Sequence, residues 1–179
     1  MNSTRELTLT ALFIAIGILL PMVFHMSGGP GAGRIFLPMH IPIFLAGFLA
    51  GPSVGLTAGV ITPLLSSFLT GMPPLVPTAP MMSAELVVFG LVSGLLYKKQ
   101  QKPLYVSLIA AMLAGRVVYG LLGAFALPLF GLEQVSLWVP LTSAVTTSWP
   151  GVLLQLIFIP AIVKAAENLK AFSSPKPQG

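Results

Sequence analysis

Long apolar segments that recur along the chain constrain its fold more than any other feature. About six of them lie within 179 residues, and the first is long enough to cross a bilayer, which takes about 20 mostly apolar residues. Only 7% of the residues are charged, whereas roughly a quarter are charged in a soluble domain. Because so few charged groups cannot shield a core from water, lipid must be the solvent for most of the chain. The sequence therefore predicts an all-α integral membrane protein with about six transmembrane helices.

The chain is interpreted as a single transmembrane domain over residues 1–179. Pro38 and Pro42 predict a kink in the short second span, and Gly51-Pro52 alone separates the second span from the third. Residues 130–140 are interpreted as a re-entrant or surface helix rather than a span. The spans are expected at residues 7–26, 37–50, 53–71, 80–97, 104–127 and 145–166.

The basic residues predict the orientation of the spans. Cytoplasmic loops of membrane proteins carry an excess of lysine and arginine. With the N-terminus inside, the basic residues on the cytoplasmic side are Arg5, Lys98, Lys99, Lys102, Lys164, Lys170 and Lys176. Only Arg34 then lies in an outer loop, and Arg116 lies within the membrane. We therefore expect both termini in the cytoplasm, with the first apolar segment retained as a helix rather than cleaved as a signal peptide.

Two charged side chains are expected at membrane depth. Glu85 lies near the outer start of the fourth span, and Arg116 lies at or beyond the middle of the fifth. An ionisable group inside a span is costly unless it is paired or solvated, so both are functional candidates. Either they pair with each other as a structural tie, or they face one cavity. In the cavity, Arg116 would hold a ligand carboxylate or carbonyl, and Glu85 an amine or a ring N–H.

The other polar residues at this depth also lie in the half of the bundle predicted to face outwards. Tyr119 and Trp149 either stack on a flat ring or only anchor their helices at the interface. His25 and His40 are expected near the interface, and Arg34 lies in a glycine-rich loop flexible enough to fold over a ligand. Since the inner halves are almost purely apolar, the pattern favours a pocket loaded from outside over a pore. The substrate-binding candidates are Arg34, His40, Glu85, Arg116, Tyr119, Trp149 and Gln155.

Small residues predict close contacts between helices. Ala11 and Ala15 lie one turn apart in the first span, on one helix face, where small side chains let another backbone approach closely. Glycines at intervals of four predict close packing within the protein; they are Gly47, Gly51, Gly55 and Gly59, and the pair Gly90 and Gly94. The proline-rich segment 71–80 is either a lid over a cavity or a plain connector.

The sequence offers no catalytic or energy-coupling chemistry. There is no cysteine, no nucleotide-binding fingerprint, no zinc-protease motif and no nucleophile elbow. The two histidines and few acidic residues do not form a metal site or a triad. We therefore expect no enzymatic activity, no cofactor and no metal in this chain. Such a protein either equilibrates its substrate passively or uses energy supplied by a partner.

The chain resembles the substrate-binding (S) component of energy-coupling factor (ECF) vitamin transporters. The resemblance covers the whole chain in size, six spans, orientation and the Ala11-x-x-x-Ala15 pattern. Three further stretches are similar to members of that family. They are Leu37-Pro38-Met39-His40-Ile41-Pro42, Leu45-Ala46-Gly47-Phe48-Leu49-Ala50-Gly51-Pro52 and Thr62-Pro63-Leu64-Leu65-Ser66-Ser67-Phe68-Leu69-Thr70-Gly71-Met72-Pro73-Pro74.

The resemblance implies a membrane subunit that binds a vitamin near the outer face and topples to release it inwards. It also implies a transmembrane coupling subunit driven by two ATPase subunits, which use the ATP. The alanine pair would be the docking surface for the coupling subunit. Family binding residues come from the outer ends of the fourth to sixth helices and the loop after the first. By location, these correspond to Arg34, Glu85, Arg116, Tyr119, Trp149 and Gln155.

The ligand expected from these side chains is a small, flat, water-soluble vitamin or precursor. One arginine and one glutamate with aromatic neighbours suit a nitrogen heterocycle with one polar or acidic substituent, and the uptake would occur in the plasma membrane of a prokaryote. Two alternatives come from other classes of protein. One is a membrane scaffold of the rod-shape type in the cell-wall machinery, and the other is a self-sufficient small-solute transporter.

Overall fold

A computed structural model describes residues 3–29 and 31–169 of the chain. Pro30 of the glycine-rich loop and the tail residues Lys170 and Lys176 lie outside the described residues. The described part is helical or irregular and contains no β-strand. The single domain proposed over residues 1–179 therefore stays a prediction at both ends.

Six helical stretches are long and apolar enough to cross a membrane, which confirms the all-α membrane fold. The α-helices are α1 (Ser3–Gly28), α2 (Ala32–Phe36), α3 (His40–Leu45), α4 (Pro52–Thr70), α5 (Thr78–Gly94), α6 (Leu104–Leu121), α7 (Leu127–Leu129), α8 (Val139–Thr146) and α9 (Trp149–Asn168). Single π-helical turns continue three of them, α3 over Ala46–Ala50, α5 over Leu95–Lys99 and α6 over Leu122–Ala126. The candidate spans are Thr4–Gly28, Ala32–Ala50, Pro52–Thr70, Thr78–Lys99, Leu104–Leu129 and Trp149–Asn168.

Successive spans run in opposite directions, so the bundle has two distinct ends. We call the end with residues 3 and 168 the proximal end and the opposite one the distal end. At the proximal end, the Tyr97 hydroxyl donates a hydrogen bond of 2.9 Å to Glu167 Oε1 and joins α5 to α9. At the distal end, Ser148 Oγ donates to the Arg34 carbonyl oxygen at 2.8 Å. That the proximal end faces the cytoplasm stays a prediction.

The second span is interrupted, as its prolines predict. Leu37 lies in the left-handed region, with φ of 49°, and separates α2 from α3. Gly51 is buried and has φ of 107° and ψ of 174°, a conformation that side chains disfavour. Pro52 then opens α4, at the helix position where its missing N–H costs nothing. One residue therefore joins the second and third spans.

The interpretation of residues 130–140 as a re-entrant or surface helix is wrong for most of that segment. Residues 130–138 are irregular, and a helix begins only with α8. The sixth span begins at Trp149 rather than at residue 145, because α8 ends at Thr146 and forms a separate short helix. Proline occupies the first turn of both α8 and α9, where it starts a helix and does not extend the preceding one.

The recurring glycines bring α4 and α5 into backbone contact. A Cβ built on Gly55 would lie 2.8 Å from the Gly90 Cα, and one on Gly59 would lie 2.7 Å from the Leu86 carbonyl carbon. A Cβ on Gly94 would meet Pro52 Cα at 2.7 Å. The predicted close packing is confirmed at these positions. Gly51 differs from the others, because a Cβ there would have no neighbour within 4 Å and the residue instead forms the turn.

Replacing Gly90 by valine should destabilise the bundle strongly. The new Cβ would lie 2.7 Å from Gly55 Cα, and a backbone atom cannot move aside as a flexible side chain can. Overpacking costs about 1–3 kcal/mol or more, and the upper end applies here because two helices must separate. Thermal unfolding of the detergent-solubilised protein measures the loss. Gly31→Ala is the matched control, since a Cβ there has no neighbour within 4 Å. Wild-type stability of Gly90→Val would contradict the helix contact.

Candidate functional site

Four polar side chains lie on the faces of their helices that point towards the apolar core, close to the distal end. His40, Glu85 and Gln155 are each at most 2% exposed, and each precedes a buried core residue by one helical turn. Those core residues are Phe44, Phe89 and Ile159. Arg116 follows the core-packed Met112 by one turn on α6, which runs in the opposite direction. Residues four apart share a helix face, so each of these side chains points the same way as its core neighbour. We call His40, Glu85, Arg116 and Gln155 the polar layer.

The Glu85 carboxylate lies between two basic side chains. Arg116 Nη1 is 3.1 Å from Glu85 Oε1, and His40 Nε2 is 3.7 Å from Oε2. The second distance is too long for a hydrogen bond. The side chains of Glu85 and His40 are 3% exposed, and that of Arg116 is 14% exposed. Of the two arrangements that the sequence left open, the structure therefore contains the ion pair.

The polar layer contains hydrogen-bonding atoms without partners. Among the described residues, the buried side-chain atoms that lack a hydrogen bond are His40 Nδ1 and Nε2, Glu85 Oε1 and Gln155 Nε2. The guanidinium lies close to Glu85 Oε1 but is not aligned to donate to it. Each unsatisfied buried polar group costs about 1–3 kcal/mol, and such groups call for an explanation in a native protein. All of these atoms belong to the polar layer, so a polar ligand would find donors and acceptors there.

Gln155 reaches the polar layer from a fourth helix. Its helix, α9, packs against α3, which carries His40, and against α6, which carries Arg116. Ile159 and Val163 follow Gln155 on the same buried face. The side-chain amide therefore points towards the interior of the bundle, although α9 is one of the two spans with the smallest buried share.

Two aromatic rings lie beneath the polar layer. The rings of Phe44 and Phe89 stack with centroids 4.6 Å apart, and the His40 ring is 5.4 Å from that of Phe89. A Cβ on Gly115 would overlap the Phe89 ring, so this glycine lets the ring lie against α6 next to Arg116. Sequence reasoning missed Phe89 and Gly115. Their signals were the one-turn spacing from Glu85 to Phe89 and the position of Gly115 directly before Arg116.

His40 lies deeper than predicted. The sequence placed it near the interface at the start of the second span, but it is 2% exposed. The reason is that α3, which begins at His40, packs against α1, α5 and α9. His25 is half-buried at the distal end of α1, and a Cβ on Gly33 would lie 2.5 Å from its Nε2.

Arg34 and Trp149 lie at the distal rim rather than in the polar layer. The hydrogen bond from Ser148 to the Arg34 carbonyl joins α2 to the start of α9. A Cβ on Gly151 would lie 2.7 Å from the Phe36 carbonyl oxygen, so the two elements are in close contact. The loop expected to be flexible is therefore partly helical and fixed to α9. Both side chains are exposed, and no ion pair or ring contact among the described residues joins them to the polar layer.

Tyr119 is half-buried and lies one turn beyond Arg116, nearer the distal end of α6. Its position is between the polar layer and the rim. Contact of Tyr119, Arg34 and Trp149 with a ligand stays a prediction. Within the described residues, no group of three or more histidine and acidic side chains is arranged to hold a metal ion.

Ala11 and Ala15 lie on an exposed face of α1. The opposite face packs on α4, because a Cβ on Gly17 would lie 2.7 Å from Thr62 Cγ2. Phe13 lies on this inward face as well and is buried. The alanine face is therefore on the outside of the bundle, facing lipid or another protein.

The chain matches the model of a known protein family. The model of the family described as "ECF transporter, substrate-specific component" matches residues 5–164. The matched range contains the whole polar layer and both alanines of α1. Neither the curated proteins nor the solved structures include a significant match to the chain.

Proposed function

The chain belongs to the family of ECF transporter substrate-specific components, and from that membership we propose that it is the high-affinity binding subunit for uptake of a small water-soluble vitamin or vitamin precursor. Members of this family are multi-pass membrane subunits of transporters rather than enzymes. The membership implies a coupling module with a membrane subunit and ATPases, and a small-molecule substrate. In our proposal the ATPases alone use ATP, and the membrane is the plasma membrane of a prokaryote.

The polar layer is the observation that carries this proposal. Its unpartnered atoms lie on three different helices, α3, α5 and α9, near the distal end. The core on the proximal side is apolar, with Phe48, Leu108 and Val163 almost fully buried. A site that is polar towards one end and closed by an apolar core supports a binding pocket rather than a pore. The distribution of lysine and arginine supports an outward-facing distal end.

The side chains around the polar layer favour a flat nitrogen heterocycle with polar substituents. Glu85 Oε1 can accept a hydrogen bond from a ring N–H or an amine, and Gln155 Nε2 can donate one to a carbonyl or ring nitrogen. In the proposal, Tyr119 and Trp149 contact a ring that enters from the distal end. These groups suit ring compounds of the size of nicotinamide, pyridoxine or a pyrimidine.

The exposed alanine face of α1 supports the second half of the proposal. Small side chains allow a helix of another subunit to approach closely in lipid. We propose Ala11 and Ala15 as the docking surface for the coupling subunit. The polar layer and this face are then separate functional surfaces, one for the ligand and one for the partner.

A thermal-shift screen of the detergent-solubilised protein tests the proposal. The panel would contain niacin, nicotinamide, pyridoxine, thiamine and its pyrimidine, pantothenate, biotin and riboflavin, with calorimetry on each compound that shifts unfolding. A ligand at about 100 times its dissociation constant stabilises the folded state by about 2.7 kcal/mol. We expect one compound or one chemical group to give such a shift.

The alternative functions predict different results in the same preparation. A membrane scaffold would unfold at the same temperature with every compound. A self-sufficient transporter would bind a ligand but would also move it into vesicles that contain no coupling module. A flat response from a protein that unfolds cooperatively would therefore contradict the proposed function.

A further inference from the structure

We infer that the polar layer selects a ligand without net charge and rejects the corresponding carboxylate. The selected ligand carries a hydrogen-bond donor beside an acceptor, as a carboxamide or a ring lactam does. The inference rests on the proposed function and adds the chemical class of the substrate. It is carried by the ion pair and by the atoms that this pair leaves without partners.

The charges of the polar layer already balance within the protein. The Glu85 carboxylate and the Arg116 guanidinium are 3.1 Å apart, and the carboxylate is 3% exposed. A charged ligand would bring an additional charge into this buried site, with no opposite charge left to pair with it. Burying an unpaired charge is costly. The arginine is therefore less suited to a ligand carboxylate than it would be if it stood alone.

The unpartnered atoms define the ligand more closely. Glu85 Oε1 needs a donor and Gln155 Nε2 needs an acceptor. A neutral imidazole at His40 offers one donor and one acceptor, and both of its nitrogens lack partners. The His40 and Glu85 side chains approach to 3.7 Å, so a carboxamide or lactam, which presents an N–H and a C=O side by side, can donate to Glu85 Oε1 and accept from His40. A carboxylate presents only acceptors and would leave Glu85 Oε1 without a donor.

Matched pairs of compounds test the inference on the wild-type protein. The pairs are nicotinamide and nicotinate, biotinamide and biotin, panthenol and pantothenate, and uracil and orotate. Calorimetry is run at about pH 8, where an imidazole with its ordinary pKa of about 6.5 is neutral. For the pair that binds, we expect the uncharged member to bind at least about tenfold more tightly than the acid.

A charge change within the site provides a second, opposite prediction. Glu85→Gln removes the negative charge and leaves the Arg116 guanidinium unpaired, so the preference should shift by about tenfold or more towards the acid member of the same pair. Glu133→Gln is the matched control, because it makes the same change at an exposed position in the irregular segment 130–138. This control should keep the wild-type preference.

The possible results separate this inference from the proposed function. Tightest binding by an acid or by a cation such as thiamine would overturn the inference and leave the proposed function standing. An unchanged preference in a folded Glu85→Gln variant would also overturn the inference. If no compound of the pairs or of the vitamin panel binds to folded protein, both proposals are overturned.

Discussion

Replacing Ala11 and Ala15 together by tryptophan should reduce uptake to background while ligand affinity stays at the wild-type value. Both positions are exposed on α1, so the isolated protein can hold the larger side chains against lipid or detergent. A partner helix that packs closely against small residues would be pushed away by two indole rings. Uptake of labelled ligand in cells that express the whole transporter, and calorimetry on the isolated chain, measure the two quantities.

The chain contains a matched control for this experiment. Ala161 and Ala165 are also exposed and four residues apart, but they lie on α9. Tryptophan at these two positions adds the same volume to a different face of the bundle and should leave uptake close to wild type. Equal loss of uptake in both double variants would indicate a general effect of bulk. Wild-type uptake by the Ala11 and Ala15 variant would contradict docking through α1.

Replacing Arg116 by methionine should weaken ligand binding and cost about 3–5 kcal/mol of stability, because one member of a buried ion pair is left behind. The carboxylate of Glu85 would be the buried charge, with a side chain 3% exposed. Glu85→Gln should cost less, since the Arg116 side chain is 14% exposed and its guanidinium retains some contact with water. Denaturation in detergent gives the stabilities, and calorimetry gives the affinities.

The double variant Glu85→Gln/Arg116→Met separates the structural role of the pair from its binding role. With neither charge present, most of the stability lost in Arg116→Met should return, whereas binding should remain weaker than in the wild type. If the double variant is as unstable as Arg116→Met, the loss comes from packing of the arginine stem rather than from the unpaired carboxylate. Wild-type stability of Arg116→Met would show that the pair is not buried.

Local features were sufficient to predict the spans, and all four members of the polar layer were among the predicted binding candidates. A membrane span needs a minimum apolar length, and the chain has few segments that meet it. Glu85 and Arg116 were identifiable because charged residues are rare in spans. The glycines at intervals of four were identifiable because such residues share a helix face. These predictions depend on residues close together along the chain.

The remaining features depend on contacts between distant residues. The burial of His40 follows from the packing of α3 against α1, α5 and α9. The position of α2 depends on the bond between Ser148 and Arg34 and on the close approach of Gly151 to Phe36. Those partners are more than 100 residues apart along the chain. The role of Phe89 depends in the same way on the absence of a side chain at Gly115. The pattern of residues within one segment cannot predict such contacts between distant residues.

The single residue between the second and third spans has a consequence for the way the protein enters the membrane. Gly51 is buried and is the one residue between the two helices, so the turn that joins them offers no loop to water in the folded bundle. We therefore expect the segments Ala32–Ala50 and Pro52–Thr70 to enter the bilayer together, as a helical hairpin. His40 of the polar layer, on one arm of that hairpin, would then enter the bilayer in the same step.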